Sequence, residues 1–209
     1  MVAAALPLLL DNARSSASAV DVTLAVDGLP ALRLPPAPVT LPVHSIRRCH
    51  PEDFPIILAI VNAAAERYRG VIPVDCWHEP YMPAAQLERD IAAGVTFWGA
   101  VDEGGALVGV MGIQPVEDVD LVRHAYVRPD QQGSGVGSRL LAHLEGLASR
   151  RILIGTWADA AWAIRFYQRH GYTLVPPSET AELLRTYWTV SPRQIETSVV
   201  LAKPPLRLA

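Results

Sequence analysis

Apolar and polar residues alternate from Val20 to Val26 (Val20, Val22, Leu24 and Val26 apolar), stop at Asp27-Gly28, and resume from Leu29 to Leu34. Asp-Gly between two such runs predicts a β-hairpin, with Pro30 confining the second run to an edge. Prolines 35, 36, 38 and 42 then suit an extended linker. The same stretch fits a disordered extension or one without function, and residues 1–43 form an N-terminal extension on either reading.

A different rhythm starts near Ser45. Ser45 to Arg48 reads as a short strand, and His50-Pro51-Glu52-Asp53 places proline and acids where a helix begins. Phe54, Ile57, Leu58, Val61, Ala65 and Tyr68 keep helical spacing up to Gly70, and Pro83 to Ala93 predicts a second helix with Leu87 and Ile91 inward. Between them lies an irregular aromatic loop, residues 71–82. Strands follow at Val95–Val101, Ala106–Ile113 and Val119–Val127, the first two joined by Asp102-Glu103-Gly104-Gly105. A helix with Val136, Leu140, Leu144 and Leu147 on one stripe comes next. Ile152–Thr156 then reads as a strand, Trp162–His170 as a helix closed by Gly171, and Tyr172–Val175 and Ile195–Leu201 as the last strands. The order βααβββαβαββ predicts one α/β (α+β) domain around a mixed sheet, over residues 44–204, without internal repeats.

Composition narrows the function. The 209 residues are half apolar and 19% charged, with a net charge of −3 and a pI near 6.1. Such a balance lacks the basic excess that a nucleic-acid partner demands. Cys49 and Cys76 have no metal-site spacing, so no metal is expected and the thiols read as reduced. No apolar run reaches the length of a membrane span, and the apolar start has no Lys or Arg before Arg14, unlike a secretory signal. A cytoplasmic protein without membrane contact is the expectation.

The chemistry concentrates at Gln132-Gly133-Ser134-Gly135-Val136-Gly137, between a strand and a helix. Alternate glycines let backbone N–H groups converge, and the helix dipole adds positive character, so an anionic diphosphate suits the place. Gly137-Ser138-Arg139 lacks the lysine of a Walker loop. A dinucleotide fingerprint is a poor fit, because the spacing is Gly-x-Gly-x-Gly and the preceding strands form hairpins. The pattern Gln132-x-x-Gly135-x-Gly137 after Val127-Arg128-Pro129 resembles the acyl-CoA loop of the GNAT superfamily of N-acetyltransferases. A second block, Ala163-Ile164-Arg165-Phe166-Tyr167-Gln168-Arg169-His170-Gly171-Tyr172, resembles that family's helix and following strand. The resemblance covers about residues 45–202. It implies the GNAT fold, a mixed central sheet with helices on both faces, and acetyl-CoA as acyl donor. One departure is Ala160, where the family often has an asparagine touching the pantetheine arm.

The resemblance further implies that the strand ending at Val127 splays from Ile152–Thr156 to admit the pantetheine. Backbone at Ala125, Tyr126 and Val127, the loop Gln132, Gly133, Ser134, Gly135, Val136, Gly137 and Ser138, and Phe166 would hold acetyl-CoA. Tyr167 would protonate the leaving thiolate, as a phenol can. A base is sought among His124, placed by strand alternation on one face with Val122 and Tyr126, Asp120 (with Asp118 nearby) and Glu79 of the aromatic loop.

The resemblance implies that residues 71–83 form one wall of the acceptor cleft, so the acceptor is expected beside Trp77, Tyr81, Trp98 and Trp157, with Trp162, Tyr187 and Trp188 as further candidates. Aromatic faces with a lone carboxylate suit a small primary amine. A non-catalytic acyl-CoA sensor and a protein N-terminal or lysine acetyltransferase are the alternatives. Arg185–Gln194 would either cap the acceptor site or form a homodimer contact.

Overall fold

The computed structural model describes residues 45–204. The hairpin expected at 20–34, the proline-rich linker and the rest of the extension lie outside the described residues. Among the described residues, seven strands form one sheet in the order β1-β2-β3-β4-β5-β7-β6, namely β1 Ser45–Arg48, β2 Thr96–Val101, β3 Leu107–Val116, β4 Val119–Val127, β5 Arg151–Trp157, β6 Thr173–Leu174 and β7 Ser198–Lys203. Every pairing is antiparallel except β4 with β5. The helices are α1 Phe54–Ala65, α2 Ala84–Ala92, α3 Val136–Leu147, α4 Ala161–Arg169, α5 Pro177–Tyr187 and α6 Pro192–Glu196.

Strand alternation divides the core between two faces. Val122, Val127, Ile152 and Ile154 pack with Leu140 and Leu144 of α3 and Phe166 of α4. Phe97, Val110 and Tyr126 pack with Ile57, Ile60 and Val61 of α1 and Leu87 of α2. Leu153 and Val200, which alternate with Ile154 and Leu201, meet Leu184 and Trp188 on the second face. Helices therefore cover both faces of a mixed sheet, as the resemblance implied.

Several expectations are corrected. Ile91 and Leu147 do not point inward: they are 39% and 47% exposed, at the ends of their helices. The segment after β6 holds α5 and α6, neither of which was expected. Pro177 opens α5, where its missing N–H costs nothing. Ser191 and Gln194 cap α6 reciprocally, and that helix takes Ile195 out of the last strand.

His124 keeps the face of Tyr126, as alternation expected, beside Phe97, but parts from Val122. Val110 pairs with Tyr126 but Gly112 with Arg123, so His124 and Ala125 together oppose Met111. This is a β-bulge, and it turns consecutive side chains to one side. Val122 stays with α3, whereas Arg123 and His124 both reach Asp90 of α2.

Candidate active site

The parallel pairing of β4 and β5 runs only from Val119–Arg151 to Leu121–Leu153. From Val122 to Val127 no strand is paired to the β5 side of β4 among the described residues. The two strands form a V, and the bulge at His124–Ala125 sits in its open part. Peptide groups along such an edge can bond an extended ligand arm, as an added strand would.

The glycine loop lies at the mouth of this V. Gly133 and Gly135 have φ of 80° and 83°, which glycine adopts without steric cost. Gly135 is the N-cap of α3 and supplies no capping side chain, so the first amides of the helix keep their donors free. Side chains of the loop serve as braces. Gln132 Nε2 donates to Val127 O at 3.2 Å, and Ser134 Oγ donates to Gln131 O at 2.6 Å. Arg128 and Asp130 pair at 2.8 Å beside them. The closeness of α3 to the sheet depends on Gly109, where a Cβ would stand 2.8 Å from Val136 Cγ1. What remains presented is main-chain nitrogen at the positive end of a 12-residue helix, which fits a diphosphate.

Phe166 and Tyr167 lie on α4, both buried, with ring centroids 5.1 Å apart. Burial pushes the Tyr167 phenol well above its usual pKa, so it is neutral and can donate a hydrogen bond. Tyr81 contacts Tyr126 edge-on at 6.4 Å, and Trp77 leans on Tyr81 at 5.6 Å. Tyr68 and Trp162 meet at 5.2 Å, with Arg67 over the indole at 5.0 Å. Trp157, at the end of β5, packs with Tyr68, Cys76 and Ala163, and Trp77 and Tyr81 border the same cluster. Loop 71–82, the end of β5 and the start of α4 thus share one aromatic cluster, in which Tyr68 and Trp157 are buried and Trp77 and Tyr81 are partly exposed.

Not every predicted residue joins it. Trp98 lies on the other face, its ring 4.3 Å from that of His143 on α3. Trp188 packs beneath α5 against Gly155 of β5, outside the aromatic cluster, and Tyr187 donates to Asp118 Oδ1 at 2.7 Å, at the closed end of the V. Asp120 is there too, 3% exposed, accepting the N–H groups of Ser149 and Arg150 at 2.9 Å each. Its carboxylate is a brace, away from the open edge. Glu79 is exposed at the rim of the aromatic loop, bound to Arg69 and, at 3.3 Å, to Trp77 Nε1. The Arg69 hydrogen bond, with that of Trp77, holds its carboxyl below the usual range.

His124 is 1% exposed and stacks on Phe97 at 5.6 Å. Burial lowers its pKa, so the neutral ring donates from Nε2 to Asp90 Oδ2 at 3.0 Å. Against the upward push of burial, the His124 bond and the Arg123 charge hold the Asp90 carboxyl low. Asp90 and Arg123 then balance as one buried anion and one buried cation. Sequence reasoning missed Asp90, whose signal was a polar stripe, Gln86 and Asp90, on the inner side of α2. It also missed Thr156, whose buried Oγ1 has no partner among the described residues.

Comparison with known proteins agrees with this geometry. The family model described as Acetyltransferase (GNAT) domain matches residues 93–174, which span β2 to β6 and include the V and the glycine loop. No curated protein matches. Among solved structures, a GNAT-family acetyltransferase from Staphylococcus aureus is similar at 12% identity and a TM-score of 0.60, covering 78% of this chain and 99% of that one. The PaiA N-acetyltransferase of Thermoplasma acidophilum, solved with coenzyme A, is similar at 15% identity and a TM-score of 0.59, covering 78% and 99%. The ribosomal-protein-S18-alanine N-acetyltransferase of Escherichia coli is similar at 17% identity and a TM-score of 0.57, covering 80% and 97%. No helix among the described residues is long and apolar enough to cross a membrane.

Proposed function

We propose that this chain, whose residues 93–174 match the GNAT acetyltransferase domain model, moves an acetyl group from acetyl-CoA to a primary amine of a small molecule by direct attack. The observation that carries the proposal is the unpaired edge of β4 lying beside the uncapped start of α3. When bound, acetyl-CoA supplies an activated thioester.

Main-chain N–H groups from Gly133 to Ser138 grip the diphosphate, and the edge at Ala125, Tyr126 and Val127 aligns the pantetheine. Phe166 supports that wall from α4. An N–H at the bulge donates to the thioester carbonyl as negative charge develops there, the kind of fixed donor that stabilises a transition state. The acceptor amine, unprotonated and held close, forms the new C–N bond as the C–S bond breaks, and the proton it sheds passes through water to the departing sulfur, which leaves as the CoA thiol. Tyr167 donates its hydroxyl hydrogen bond to the departing sulfur. Its raised pKa favours a shared hydrogen bond over complete proton transfer.

Trp77, Tyr81 and Trp157 frame the acceptor side. Of the three base candidates, Glu79 alone stands at this rim, and its lowered pKa suits an ammonium partner better than proton abstraction. Arg193 Nε meets Asp75 Oδ2 at 2.9 Å, tying α6 to the aromatic loop. That tie crosses the acceptor side, which supports a compact amine over an extended peptide.

A panel of small amines assayed by release of the CoA thiol tests the reading. Turnover with one or more of them is expected. Turnover confined to protein N-termini or lysines would replace the acceptor class, and acetyl-CoA binding without any turnover would make the chain a sensor.

A further inference from the structure

His124 holds a backbone φ of 50° in the middle of a strand. Residues other than glycine keep such a conformation only where surrounding contacts impose it, although histidine tolerates it better than most. Those contacts are on the page. The imidazole donates to Asp90 at 3.0 Å and lies against Phe97, with the rings 22° from parallel. Asp90 is itself fixed, accepting from Gln86 Nε2 at 3.2 Å and facing Arg123 Nη2 at 3.4 Å. Arg123 Nη1 donates to Gln114 Oε1 at 2.8 Å, and Gln114 Nε2 donates to Ala93 O, also at 2.8 Å, at the end of α2. Two successive residues of β4 are thus fastened to one helix, at the point where the strand carries its extra residue.

A buried ion pair is a poor way to gain stability, since apolar side chains of the same volume do as well or better. What it offers is one specified geometry, and here that geometry is the bulge. We infer that Asp90, acting through His124, is a positioning residue that sets the β4 bulge and thereby the aim of the backbone N–H groups that meet the thioester carbonyl. The inference rests on the acyl-CoA reading above. It makes α2 part of the catalytic apparatus without any side chain of α2 touching substrate.

The test uses acetyl-CoA labelled with 13C at the thioester carbonyl, whose infrared stretch moves to lower frequency when a donor polarises it. His124→Gln keeps an N–H at about the reach of Nε2, whereas His124→Asn tolerates the left-handed backbone but stops at about the reach of Nδ1. His124→Val loses both features. Wild type and His124→Gln are expected to show the displaced band. His124→Asn and His124→Val are expected to lose most of the displacement, with kcat down about 10- to 100-fold, the scale of a misplaced reacting group, and KM for acetyl-CoA little changed. If His124→Val does not fold, His124→Asn and Asp90→Asn carry the comparison, because each leaves a small polar side chain in place. Failure of the wild type to bind acetyl-CoA would overturn the parent reading. Tight binding with an unmoved band in His124→Asn would overturn the positioning role alone.

Discussion

Asp120 Oδ2 accepts the N–H groups of both Ser149 and Arg150 at 2.9 Å, fastening the turn before β5 to the start of β4. The strands are paired at this point and part after Leu121, so the bond defines the vertex of the V. Asp120→Ala strands two donors, and an expected loss of about 1–3 kcal/mol should appear in urea unfolding. Turnover of the folded variant should stay close to wild type. A large fall in kcat with unchanged stability would instead make Asp120 the base.

Asp90 neutralises Arg123 inside the protein, with side chains 7% and 8% exposed. Asp90→Ala leaves the guanidinium without its carboxylate, and breaking such a pair from one side costs about 3–5 kcal/mol. The double variant Asp90→Ala/Arg123→Met should be more stable than Asp90→Ala alone. Equal midpoints in denaturant for the single and double variants would contradict the charge balance.

Arg47 grips Asp53 through two hydrogen bonds, at 2.7 and 2.9 Å, at the start of α1. That hydrogen bonding, aided by the His50 N–H, lowers the Asp53 carboxyl from 3.8 to about 2. The folded value lies below the unfolded one, so the stabilisation is present above pH 3.8 and is lost as pH falls toward 2. Asp53→Asn should therefore be less stable than wild type at neutral pH, with the gap closing across that acid window. A gap that persists unchanged down to pH 2 would contradict the assignment.

Cys49 lies in a cleft of about 850 Å³ between β1, α1 and the end of α2, lined also by Phe54, Ile57 and Phe97. Burial, reinforced by Asp53, pushes its thiol up to about 11. The thiolate is the reactive form, so iodoacetamide should modify Cys49 at pH 8 about 100-fold more slowly than an unperturbed thiol. Peptide mass spectrometry of the Cys76→Ala variant reads this directly, and labelling at the rate of free cysteine would refute it.

Sequence alone revealed what local chemistry controls. Gly133, Gly135 and Gly171 all have positive φ, the demand that made their positions readable as turns and caps. Alternation placed β2, β4 and β5 within about a residue and β3 to within three, and helical spacing placed α1, α3 and α4. Tertiary choices were hidden. The bulge at His124 is a one-residue event fixed by contact with α2, and it parts His124 from Val122, which alternation puts on the same face. Asp120 has the sequence neighbourhood of a solvated turn acid, but the closing of residues 148–150 over it makes it a buried acceptor. Trp98 and Phe97 are adjacent aromatics on a strand, and only the docking of α3 decides which of them leaves the site. The glycine loop was legible as an anion cradle, whereas the Asp90 network behind it was not, because its members lie 33 and 34 residues apart in the chain.

Calorimetric titration of coenzyme A into the wild-type protein and into Gly135→Ala tests the central claim most directly. A Cβ at residue 135 has open space around it, but φ of 83° is strained for alanine, so the loop must change its aim. That strain is worth about 1–2 kcal/mol, or roughly tenfold in affinity. Saturable binding by the wild type, weakened about tenfold in Gly135→Ala, is the predicted result. No heat of binding in the folded wild type, or equal affinity in the two proteins, would contradict a diphosphate held by the amides of this loop.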